Sequence, residues 1–176
     1  MDLIVRQKVF TLRERFFVTT PEGDNVYAVE GKAVSLSRRM SIYDMLGNEL
    51  ANMHKKVFAI HHRYFICHGE EEVAELRQKF GIRMRFVCEE LGWEIDGNFM
   101  QYSFAITKGG EPVATVHRKM FSIGDCYLLH VEKEEDAVNA LCVVLAIDDV
   151  LMDITNATLA ADSSVAATTA AASSQA

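Results

Sequence analysis

The sequence predicts a mainly β protein, a closed antiparallel barrel of about 12 strands around a buried C-terminal hydrophobic helix. Three observations predict it: an internal repeat, a hairpin signature within each repeat, and one long apolar segment near the C-terminus.

The repeat runs from Lys8 to Val18, returns from Lys32 to Ile42, and returns again from Lys56 to Ile66, a spacing of 24 residues. Its pattern is Lys-x-(Val/Phe)-x-(Leu/Ile)-x-x-Arg-(Phe/Met/Tyr)-x-(Val/Ile), and Lys119 to Leu129 keeps the apolar frame while losing the Arg. Self-similarity at a fixed period means one supersecondary unit used several times. Phe10, Val34 and Phe58 should therefore share one burial class, as should Leu12, Leu36 and Ile60.

Gly23, Gly47 and Gly110 each precede alternating apolar residues, Val26-Tyr27-Ala28-Val29, Leu50-Ala51-Asn52-Met53 and Val113-Ala114-Thr115-Val116. Turn glycine followed by alternation is a hairpin signal, and units of strand, turn, strand, turn build meanders. Glu70 to Phe80 has helical propensity taken alone. The alignment of Val73 to Phe80 on Leu50 to Val57 makes it a strand instead.

Near the C-terminus the period changes. Glu134 to about Thr155 is too long for a strand, opens on acidic residues that suit the positive end of a helix dipole, and has only Asn139 polar between Ala137 and Ile147. A helix apolar on every side is buried. A bilayer span needs ~20 apolar residues, more than this run holds before Asp148-Asp149, so burial in protein is expected and a transmembrane span is not. A meander of a dozen strands exposes edges unless it closes, and so wide a barrel needs a filling that strand side chains alone cannot supply. The helix is that filling.

The 176 residues, 49% hydrophobic and 24% charged, suit one domain over 1–155, followed by an Ala/Ser/Thr-rich tail over 156–176 expected to be disordered. Met1 to Arg6 carries no signal-peptide pattern, which points to a cytoplasmic protein. Cys67, Cys88, Cys126 and Cys142 form no CxxC pair and read as reduced, buried thiols. Residues 1–66 hold 10 Lys and Arg against 7 Asp and Glu, within a chain of net charge −7. The overall acidity argues against nucleic acid, and the basic N-terminal half leaves room for a local patch.

Trp93-Glu94-Ile95-Asp96-Gly97-Asn98-Phe99-Met100, Tyr102 to Ile106, Val116 to Ser122 and the ending Ala146 to Leu151, taken with the hairpin repeat, resemble the LURP-one-related family. The resemblance covers about residues 1–155. It implies the tubby-like fold, a 12-stranded barrel around a C-terminal helix, a fold that phospholipid scramblases are thought to share. It implies no reaction. Tubby proteins are similar in fold and bind phosphoinositide head groups through basic residues, but their motif is not visible in this chain, nor are the Cys-rich palmitoylation signals and Ca²⁺ loop of a scramblase.

The strongest local candidate is the set Arg15, Arg39 and Arg63, which occupy one position in three successive units, with Arg13 and Arg38 close by. Guanidinium groups from corresponding strand positions suit a phosphate or carboxylate. The plainer reading pairs them with Glu14, Glu30 or Asp44. His54, His61, His62 and His68 lack metal-ligand spacing, no glycine loop or GxSxG elbow is present, and Glu89-Glu90 should raise the thiol pKa of Cys88. No catalytic residue, metal or cofactor is expected. The reading is a monomeric, non-enzymatic binding module, peripheral to a membrane, that recognises an anionic lipid head group or another anion. Its alternative is a protein-interaction scaffold or a stress- or defence-related regulator without a lipid ligand.

Overall fold

In a computed structural model, residues 1–6, 15–34, 37–121 and 124–173 are described. Twelve antiparallel strands form one closed barrel. They are β1 (Asp2–Arg6), β2 (Arg15–Thr19), β3 (Asn25–Val34), β4 (Ser37–Tyr43), β5 (Glu49–Lys55), β6 (Arg63–His68), β7 (Glu71–Gln78), β8 (Phe86–Cys88), β9 (Trp93–Asn98), β10 (Ser103–Lys108), β11 (Glu111–Phe121) and β12 (Gly124–Val131). Each strand pairs with its sequence neighbour, and β1 closes the ring by pairing along its whole length with β12, from Asp2↔His130 to Arg6↔Cys126. No edge is left open among them, which removes the template for edge-to-edge association.

The repeat holds at its last apolar position. Val18, Ile42, Ile66 and Leu129, its last apolar position, are all fully buried, and Met40, Tyr64 and Tyr127 two residues earlier face the interior as well. The stretch Glu71–Gln78 is strand β7, paired with β6 through Tyr64↔Leu76 and Ile66↔Ala74. Inner Ala74 and Leu76 alternate with outward residues, and this period of two overrides the helical propensity of the glutamates. Phe58 and Ile60 depart from the repeat: they stand in the turn between β5 and β6, exposed to solvent. Phe10, Leu12 and Leu36 lie outside the described residues, as does the side chain of Val34.

A 3₁₀ turn over Glu134–Asp136 leads into helix α1 (Ala137–Ser173). Every residue from Ala140 to Leu151 is buried, so the all-round apolar segment threads the barrel and fills it. Beyond the barrel the helix surface is exposed from Thr155 to Ala161. Residues 156–173 are therefore helical where the sequence alone suggests an unstructured tail, because alanine sustains a helix with little help from packing. Nothing in the described helix is long and apolar enough to cross a membrane.

The hairpin of β9 and β10 turns through a 3₁₀ turn at Phe99–Gln101, with Asn98 accepting from the Gln101 amide at 3.3 Å. Phe99 packs edge-on against Phe86 and tilted against Phe104, at centroid distances of 5.3 and 5.0 Å. Gly97 makes this possible: its φ is +146°, and a Cβ there would lie 2.5 Å from the Phe104 Cα. Only glycine fits so close a backbone approach.

Candidate functional site

The densest set of ionisable groups lies where α1 leaves the barrel. Asp148 and Asp149 end the apolar run, and both are buried. Asp149 accepts a hydrogen bond from Arg38 Nη1 on one oxygen and from the Tyr64 hydroxyl, at 2.6 Å, on the other. One turn on, Asp153 pairs with Arg38 Nη2 at 2.8 Å and with Lys55 Nζ. The charges of Lys55, Asp153 and Asp149 also reach His62, although burial is the main cause that lowers its pKa. Strand alternation explains the inward Arg38, which shares a face with Met40, whereas Arg39 points out.

Asp148 takes a 2.5 Å hydrogen bond from the Tyr102 hydroxyl. Tyr102 stacks on Tyr127, with centroids 5.3 Å apart and planes 15° apart, and the Tyr127 hydroxyl has no hydrogen-bond partner among the described residues. Burial, with the Asp149 charge added, pushes the Asp148 carboxyl up to about 7 against the pull of the Tyr102 hydrogen bond. Two buried carboxylates side by side have thus been given different partners, a cation and a phenol for Asp149 and a phenol for Asp148. Asp149 has both oxygens engaged and no exposed surface, which suits a lock between helix and barrel better than a catalytic base.

The outer arginines are placed one by one as follows. Arg15, Arg39 and Arg63 all project from the outer surface, on β2, β4 and β6, with a strand between each pair. That separation is roughly 10 Å across the sheet, so the repeat puts them on alternate rather than neighbouring strands. Arg15 pairs with its cross-strand partner Glu30 at 3.5 Å and lies over the Phe17 ring. Arg63 shares Glu75 with Arg77, at 3.4 and 3.5 Å. Arg39 is exposed beside His54. Asp44 holds its own turn, accepting from the Leu46 and Asn48 amides. Arg38 belongs to the interior and is committed to Asp149 and Asp153, a correction to its place in the surface set. Arg13 and Glu14 lie outside the described residues.

A second basic feature went unread in the sequence. The β5–β6 connection is closed by the Lys56 amide bonded to the Arg63 carbonyl at 2.8 Å, and the β7–β8 connection by the Lys79 amide bonded to the Arg85 carbonyl at 2.8 Å. These loops touch: the Gln78 amide donates to the His62 carbonyl at 3.0 Å and the His61 and Phe80 rings meet edge-on at 5.7 Å. A groove of about 480 Å³ between them is lined by Phe58, Ile60, His61, Arg63 and Phe80, among others. Residues 56–63 and 79–85 contain Lys56, Arg63, Lys79, Arg83 and Arg85 and no Asp or Glu, in a chain of net charge −7. That imbalance was visible in the sequence, but only the fold sets the two segments side by side.

All four cysteines are free and buried. Burial, then Glu90, pushes the Cys88 thiol up to about 12, so it is protonated and inert at neutral pH. Among the described residues no group of three or more His, Cys, Asp or Glu is arranged to hold a metal.

Comparison with known proteins agrees with this architecture. The family model for LURP-one-related proteins matches residues 1–148. The uncharacterized protein YxjI of Bacillus subtilis (strain 168) is 30% identical over 152 residues, covering 86% of this chain and 94% of its own length. The X-ray structure of a protein from Arabidopsis thaliana superposes with a TM-score of 0.61 at 16% identity, over 85% of this chain and 90% of that one, a likeness of fold.

Proposed function

We propose that this chain, which belongs to the LURP-one-related family, is a non-enzymatic binding module that recognises the anionic head groups of a membrane surface. The observation that carries the reading is the carboxylate-free pair of loops at 56–63 and 79–85, which gathers five basic residues at one end of an acidic protein. Lys56, Arg83 and Arg85 pair with no carboxylate among the described residues. Arg39 extends the basic surface along the barrel wall, whereas Arg15 and Arg63 are held by Glu30 and Glu75 and contribute less net potential. The five N–H donors of each guanidinium, which pair bidentately with an oxyanion, suit phosphate oxygens.

The barrel interior supports binding over catalysis. It is filled by α1, and the buried carboxylate where α1 leaves it, Asp149, is held on both oxygens by Arg38 and Tyr64. A closed, filled barrel presents its chemistry at its rim loops.

Sedimentation with phosphatidylcholine vesicles, with and without phosphatidylserine or a phosphoinositide, tests the reading at two salt concentrations. Binding is expected only with the anionic lipid, falling steeply as salt rises. The combined Arg83→Glu and Arg85→Glu variant, at exposed positions, should abolish it with the fold intact. No binding to anionic vesicles at low salt would leave the second reading, a protein partner seated in the groove of Phe58, Ile60 and Phe80, in front.

A further inference from the structure

We propose that the barrel end from which α1 emerges is a membrane-insertion face, on which Phe58, Ile60, Phe80 and Ile82 enter an anionic bilayer while Lys56, Arg83 and Arg85 meet its phosphates. The proposal rests on the head-group reading above and states what holds the same end in place once the charges have brought it to the membrane.

Four large apolar side chains stand almost wholly in water on two short loops: Phe58 is 94% exposed, Ile60 95%, Phe80 90%, and Ile82 fully so. Single exposed apolar residues are ordinary, but a group this concentrated is not. Met100, exposed on the turn between β9 and β10, extends the group to a third connection. In an antiparallel meander the β5–β6, β7–β8 and β9–β10 connections all lie at one end. It is also the end where α1 comes out, since Met100 shares a cavity with Leu151, Met152, Thr155 and Asn156.

Phe58 carries an independent sign. Its φ is +62°, a left-handed conformation that is unfavourable for a bulky aromatic residue and natural to glycine or asparagine. A ring held in a strained turn and left almost wholly exposed gains nothing for the folded barrel. Strain of that kind persists where function requires the side chain's direction.

The pattern of charge selects the partner. The two loops contain no carboxylate; of the described acidic groups beside them, Glu75 and Glu89 are occupied by Arg63, Arg77 and Lys79, and Asp149 and Asp153, whose charges reach His62, by Arg38 and Lys55, while Asp96 shares a cavity with Arg83. Apolar tips above a girdle of cations match a medium that is layered in the same order, acyl chains beneath an anionic surface. The Lys56 stem lies along the wall with its ammonium 5.3 Å from the Phe65 ring, placed to reach a phosphate as the tips enter. A protein groove would need matching cavities for tips that stand on separate loops, whereas a bilayer accommodates them without shape complementarity.

The test uses the full chain, phosphatidylcholine vesicles containing phosphatidylserine, and the same vesicles with brominated acyl chains. Ile82→Trp places a reporter at a loop tip, while the single native tryptophan, Trp93, is buried in the barrel wall and serves as the internal control. Emission from the Ile82→Trp variant should be quenched by brominated lipid. Phe58→Asn combined with Ile82→Asn should lower vesicle partitioning by roughly tenfold or more, with a melting temperature no lower than that of the parent, since asparagine suits the φ of position 58. Binding to phosphatidylserine with unquenched emission would overturn insertion and leave head-group recognition standing. Loss of all binding to anionic vesicles at low salt would overturn both. A double variant that partitions like the parent would overturn insertion, and so would a dimer in sedimentation that Phe58→Asn dissolves, since the face would then belong to a second copy.

Discussion

The hydroxyl of Tyr64 on β6 donates to Asp149 of α1 at 2.6 Å, inside the barrel and between residues 85 positions apart in the chain. Arg38 holds the other oxygen of the same carboxylate and reaches on to Asp153, so one helix turn is bolted to two strands. An uncompensated buried charge costs far more than the pair contributes. Arg38→Met is therefore expected to destabilise the protein by about 3–5 kcal/mol in urea unfolding. Arg38→Met combined with Asp149→Leu should recover most of that loss, because no charge is then left unpaired. A double variant no more stable than the single one would show that the pair fixes the helix by more than charge balance.

Gly97 predicts a steric effect of a different kind. An alanine Cβ would come 2.5 Å from the Phe104 Cα and 2.6 Å from the Ser103 carbonyl oxygen, both backbone atoms that cannot rotate away. The hairpin of β9 and β10 would have to open, and the Phe86, Phe99 and Phe104 ring contacts would open with it. Gly97→Ala should cost about 2 kcal/mol or more, measured by thermal or denaturant unfolding.

The helix has two halves that mutation should separate. Val143 is fully buried within the barrel, and Val143→Asp is expected to prevent cooperative folding, read by loss of a sharp thermal transition. From Thr155 to Ala161 the helix is exposed. Removal of residues 160–176 should shift the melting temperature by no more than about 2 °C.

The barrel was legible because its signal repeats. Val18, Ile42 and Ile66 recur at one spacing and end up in one burial class, and the same frame identified β7 against its helical propensity. The apolar helix was legible for an equally local reason, since a segment without a polar face has no stable place except an interior. The site was not local. Arg38 reads as the twin of Arg39 until strand alternation turns it inward onto Asp149, 111 positions away. Phe58 and Ile60 occupy apolar positions of the repeat, yet the β5–β6 turn takes them out of the strand. The clustering of cations around them requires loops 56–63 and 79–85 to be neighbours, and a linear pattern carries no such information.

Asp148 makes stability depend on pH in a direction opposite to that of Asp153. Its carboxyl is pushed up to about 7 in the folded protein, chiefly by burial, against an ordinary value of 3.8. Between these values the folded state holds a proton that the unfolded chain releases. Its contribution is therefore fully present below about pH 4 and is lost as pH rises through about 7. The loss is on the order of 4 kcal/mol at most, since burial is nearly complete but the Tyr102 hydroxyl offsets part of it. Asp153 acts in the opposite sense: burial raises its pKa, but Lys55 and Arg38 together outweigh this and lower it, so its stabilisation is present above the ordinary carboxylate value and fades as pH falls. The parent's profile contains both, together with the shifted groups elsewhere, among them His54 and His62. Asp148→Asn isolates the first, because an amide keeps an acceptor for Tyr102 and cannot ionise. The variant should be more stable than the parent at pH 8 and close to it at pH 4, measured by urea unfolding across that range. A difference between the two proteins that does not change with pH would show that Asp148 titrates normally and that the Tyr102 hydrogen bond serves an ionised carboxylate throughout.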